Sequence, residues 1–129
     1  MKMRTSRGQT LVEYALMLPL MILIILFLAD AGRVVYYSSV IHNAAREGAR
    51  WGIIDPEDAA GIETAARAKA IGLDPTNLTI LSDETKTETE WYITVWVTYD
   101  FDLVTPLISV FFGGNPLTLD SQSQMNVEG

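Results

Sequence analysis

Glu13 is the only charged side chain between Leu11 and Ala29, and an acid set in so apolar a run needs a partner. A carboxylate at the centre of a membrane helix costs about 2.5–3.5 kcal/mol. Either a cation neutralises Glu13, or it reaches the headgroups from the start of the run. Other reactive side chains are sparse. The chain has no cysteine, which excludes disulfides, thiolate zinc sites and cysteine nucleophiles. His42 is the sole histidine, and one histidine makes no multi-histidine metal cluster. Gly113-Gly114 follows a helical turn instead of opening a helix, so it is no phosphate loop. Asp83–Glu90 is acidic but lacks any fixed ligand spacing and reads as a solvated turn. Asn77-Leu78-Thr79 matches a glycosylation triplet. No catalytic or metal constellation emerges, and the expectation is a chain that is not an enzyme and uses no cofactor.

What carries Glu13 is a candidate membrane helix. The nineteen residues from Leu11 to Ala29 span about 28 Å as a helix, close to the hydrocarbon thickness of a bilayer. Pro19 lies inside the run, where it removes a backbone hydrogen bond and favours a kink. Lys2, Arg4 and Arg7 precede the run, which by the positive-inside rule places the N-terminus in the cytoplasm and the remainder outside. The run is too long for a secretory signal, although Ala29-Asp30-Ala31 has the form of a cleavage site. Hydrophobic residues make up 49% of 129 residues, with net charge −7. Without Met1–Gly8 the remaining six cations face sixteen acids, a balance of −10. So acidic a body is repelled by nucleic-acid phosphates.

Nothing stops the helix at Ala29, and Asp30 and Arg33 read as residues leaving the bilayer. Val34, Ile41, Ala45, Gly48 and Gly52 then share one face, flanked by Tyr37, Ala44 and Ala49, with Ser39, Asn43, Arg46, Glu47 and Arg50 opposite. The stripe tapers to Ala and Gly, which admits close approach by the chain's own sheet or by a neighbouring helix. Packing on its own domain is the expectation.

Asp55-Pro56-Glu57-Asp58 predicts a second helix with Asp55 as N-cap, ending near residue 72. Its buried face is Ile62, Ala65, Ala66, Ala70 and Leu73. Strands follow at Asn77–Leu81, Trp91–Phe101 and Leu117–Val127. In the second, the odd positions should face the core and the even ones, apart from Trp96, should be largely exposed. On that reading Thr94→Asp is tolerated. Thr105–Gly114 reads as a capped helical turn whose Leu107, Ile108, Phe111 and Phe112 fill the core. The fold class is therefore α+β. A long N-terminal helix, part transmembrane and part amphipathic, packs on a small antiparallel sheet with a second short helix.

Gly8, four intervening residues, Glu13-Tyr14 and the apolar run together resemble the cleavage motif of type IVb prepilins of the tight-adherence (Tad/Flp) group. The resemblance implies that a prepilin peptidase cuts between Gly8 and Gln9. Glu13 then becomes the fifth mature residue and pairs with the terminal amine of a neighbouring subunit. Asn43–Gly52 (NAAREGARWG) extends the likeness, being similar to the segment after the membrane helix in TadE-like pseudopilins. The implied organisation is a basic leader over 1–8, a transmembrane and assembly helix over 9–30, and an extracytoplasmic domain over 31–129. The partners it implies are other pilin or pseudopilin subunits, the peptidase, the inner-membrane assembly machinery and the lipid bilayer. The major pilins of that group are much shorter, so the resemblance favours a minor subunit. The alternatives are a major filament subunit and an uncleaved, anchored binding module. Archaeal pilins carry similar leaders.

Overall fold

The computed structural model describes residues 6–111, 113–114 and 116–127. Met1–Thr5, with Lys2 and Arg4 of the basic leader, lie outside the described residues. The first element, α1, is a single helix over Ser6–Ile54, 49 residues that pass through Pro19 without a break. At 1.5 Å per residue it is a rod of about 70 Å. It ends where Asp55 N–H donates to Trp51 O at 3.3 Å.

That bond corrects the expected start of the second helix. Asp55 closes the last turn of α1 and so cannot cap the next helix. The chain turns through Pro56 and Glu57, and Asp58 becomes the cap, its carboxylate accepting from Gly61 N–H at 2.9 Å. The helix α2 runs over Ala59–Lys69, a little shorter than expected. Ala70 N–H folds back to Arg67 O and caps the helix, and Gly72, two residues further on, turns the chain away at φ +81. A short 3₁₀ turn over Pro75–Asn77 follows. There the Asp74 carboxylate accepts from the Thr76 hydroxyl and N–H, and these bonds hold its pKa below the usual carboxylate value.

Three antiparallel strands, β1 (Leu78–Lys86), β2 (Trp91–Phe101) and β3 (Leu117–Asn126), form one sheet in the order β1-β2-β3. The bounds of β2 are those its alternation predicts. The expected Asn77–Leu81 strand is longer, because Asp83, Glu84, Thr85 and Lys86 stay in register with Thr94, Ile93, Tyr92 and Trp91. The acidic turn thus shrinks to a tight connection in which Thr87 N–H donates to Glu90 O at 2.7 Å.

The second half of α1 and all of α2 lie against the inner face of this sheet. Ile41, Ala45, Ile62, Ile93, Val95 and Val97 are buried between them. The taper of α1 toward Gly is matched by its neighbours. A Cβ at Gly48 would stand 3.1 Å from Val95 Cγ1 and 3.2 Å from Ala66 Cβ, and one at Gly52 would stand 2.8 Å from Ile93 Cγ1. The helix needs small residues there because sheet and α2 converge on it.

Two expectations about the domain need correction. Thr94, on the outer sheet face, is only 8% exposed, whereas Trp96 is 37% exposed. Thr94 sits in the central strand between Asp83 and Gln124, and these longer neighbours shade it. The segment α3 (Pro106–Phe111) is helical as expected but does not fill the core: Ile108 is half-buried, while Val110 and Phe111 are 80% and 84% exposed. The side chains of Leu107 and Phe112 lie outside those described.

Candidate assembly site

The expected site residues occupy one continuous helix with two contrasting halves. In the first, Leu16, Leu18, Met21, Ile25 and Leu28 all stand exposed. The most apolar window has a mean hydropathy of 2.6, and none of it is buried by the other described residues. A helix apolar all round and bare of tertiary contacts needs lipid or other helices about it. This one is long and apolar enough to fit a single-pass membrane anchor.

Glu13 and Tyr14 project from the start of that half, both exposed, as are Gly8 and Gln9. Gln9 and Glu13 stand four residues apart, hence on one face. Gly8 is helical with nothing within 4 Å of where a Cβ would be. In the second half Ile41, Ala45 and Gly48 are buried and Val34 is half-buried against the core. The four residues that implied processing and assembly are therefore free of the domain, and the four on the packing stripe are engaged with it.

Between the halves lies a group that sequence reasoning missed. Asp30 is 1% exposed. Its Oδ1 accepts from Val104 N–H at 3.1 Å and from Arg33 Nη1 at 3.1 Å, and its Oδ2 accepts from Thr105 N–H at 2.7 Å. Arg33 adds a bond from Nη1 to Asp102 O at 3.2 Å and lies over the rings of Tyr37 and Phe101. The bond to Tyr37, ahead of the effect of Asp30, raises the pKa of its guanidinium. Together these residues clamp the loop after β2 onto α1 where its apolar run ends. An unusually placed acid one turn before an arginine was the available signal, but it named no partner.

His42 Nδ1 faces Ser121 Oγ at 3.3 Å, tying α1 to β3. Among the described residues no group of three or more His, Cys, Asp or Glu could hold a metal ion. The arrangement offers a bare apolar rod with one acid near its start, attached rigidly to a small domain. It is suited to association.

Comparison with curated proteins and with solved structures finds no match. The family model described as TadE-like protein matches residues 8–50, and this is a structural, pilus-associated family instead of an enzymatic one. The matched stretch takes in the bare rod, Asp30 and Arg33 of the clamp, and the packing stripe as far as Arg50, and over that third of its length the chain is similar to TadE-like proteins.

Proposed function

We propose that this chain is a TadE-like minor pilin or pseudopilin in the assembly of a tight-adherence type IV pilus. The observation that carries the reading is the division of α1. Its TadE-like stretch joins a half whose most apolar window is left unburied by the described residues to an amphipathic half that is part of a folded domain. Residues 9–30 act as membrane anchor and, in the assembled state, as the surface that packs on other pilin-like helices. Residues 31–129 form the extracytoplasmic domain. The N-terminus faces the cytoplasm, as the leader cations dictate, and the precursor resides in the inner membrane.

In this reading a prepilin peptidase removes residues 1–8, cutting between Gly8 and Gln9. The new amine of Gln9 is then available to the Glu13 carboxylate of an adjacent subunit, with Tyr14 beside it. Two opposite charges that neutralise each other between chains fix the axial register of the helices. The inner-membrane assembly machinery draws the subunit from the bilayer.

The mass of the protein recovered from membranes and from sheared surface material tests the reading. A mature chain beginning at Gln9 is the expected result. Recovery of intact Met1 in both fractions overturns it.

A further inference from the structure

We propose that Val104, Val110 and Phe111 form an apolar foot that beds into the bilayer leaflet through which α1 leaves the membrane, giving the domain a second lipid contact. The proposal rests on the reading of α1 as a membrane span. Its first support is height along the rod. Phe27 belongs to the apolar run, yet it lines the same cleft, of about 280 Å³, as Leu103 and Ile108. Asp30 bonds the backbone of Val104 and Thr105, and Thr105 O accepts from Ile108 N–H at the start of α3. The foot is thus pinned level with the last turn of the span.

The second support is chemistry. From Leu103 to Leu119 there is no charged residue, in a body that carries −10 without Met1–Gly8. That uncharged stretch includes side chains that stand bare: Val104, Val110 and Phe111 are 58%, 80% and 84% exposed. Apolar side chains on a short amphipathic element next to a span partition into the headgroup and acyl boundary. The rest of the domain is acidic and is held off anionic headgroups. A second copy is a poorer occupant, since it would bring another acidic body against this one. The cleft between Phe27 and Ile108 opens at the same level and suits an acyl chain.

The absence of native cysteine permits clean labelling. The full chain with Val110→Cys, Ile22→Cys or Ile54→Cys is labelled with an environment-sensitive fluorophore. It is then reconstituted at one copy per nanodisc of palmitoyl-oleoyl phosphatidylcholine containing spin-labelled lipid. Ile22 reports the span, and Ile54, exposed at the far end of α1, reports the aqueous side. Blue-shifted emission at Val110 with strong quenching by shallow spin labels, and neither at Ile54, is expected. An unquenched Val110 beside a quenched Ile22 overturns the foot and leaves the span standing. An unquenched Ile22 overturns the span and the proposal with it. Shielding of Val110 only in discs holding several copies assigns the patch to a second chain and overturns the lipid contact.

Discussion

Asp30 shows why single residues in this chain have to be weighed by their partners. In sequence it is the first charge after an apolar run and reads as the residue that greets water. In the fold it is 1% exposed and accepts from two backbone N–H groups more than seventy positions away. Those partners are main-chain donors, which every residue but proline carries, so no side-chain type at Val104 or Thr105 could have announced them. A buried donor left without an acceptor costs about 1–3 kcal/mol. Asp30→Ala leaves both donors without an acceptor, so the urea midpoint of the full chain in detergent should fall by an amount equivalent to about 2–6 kcal/mol. Asp30→Asn keeps one carbonyl acceptor and should lose less. Equal midpoints for Asp30→Ala and wild type would show that water replaces the carboxylate without cost.

At the scale of elements, what could be read ahead was what burial dictates. The alternation of β2 and the stripe on α1 were legible because each hides one face, and a face hidden at period 2 or 3.6 leaves its mark on residue types. The far half of β1 hides little: Asp83, Glu84, Thr85 and Lys86 are held by ladder bonds to β2, and backbone pairing leaves no compositional trace. The exposed α3 fails for the converse reason, since apolar residues facing outward look the same in sequence as apolar residues facing a core. Two substitutions test the packing. Gly48→Leu drives a branched side chain into Val95 and Ala66, 3.1 and 3.2 Å from the position of a Cβ. Overpacking of this kind costs about 1–3 kcal/mol, to be seen as a lower thermal midpoint, whereas Asn43→Leu on the exposed side should move it little. Thr94→Asp, harmless if Thr94 faced open water, instead sets a carboxylate opposite Asp83 at a position 8% exposed. Like charges directly opposite one another destabilise a strand pair, so this variant should melt below wild type and recover partly when Asp83→Asn is added.

The whole molecule is a lever whose domain buries a core of its own and whose rod stands bare. The described residues bury none of the apolar window, and Glu13 sits at its start, exposed and on the same face as Gln9. If Glu13 only reaches for headgroups, Glu13→Gln changes little, because an amide is as comfortable there. If it meets the Gln9 amine of an adjacent subunit, the variant leaves that amine buried without its counter-charge. Breaking a buried pair from one side costs about 3–5 kcal/mol, which lowers incorporation on the order of a hundredfold or more. The variant should still insert, lose its leader and fold, since Glu13 touches neither the domain core nor the Asp30 clamp. Gly8→Val provides the contrasting failure, retaining full-length precursor in the membrane because a branched side chain now fills the proposed cleavage position. Mass of the membrane-bound chain separates the two: mature mass with no filament incorporation is expected for Glu13→Gln, precursor mass for Gly8→Val. Mature Glu13→Gln protein entering filaments at the wild-type level would eliminate the charge pair and leave apolar packing of the rod as the whole of the assembly force.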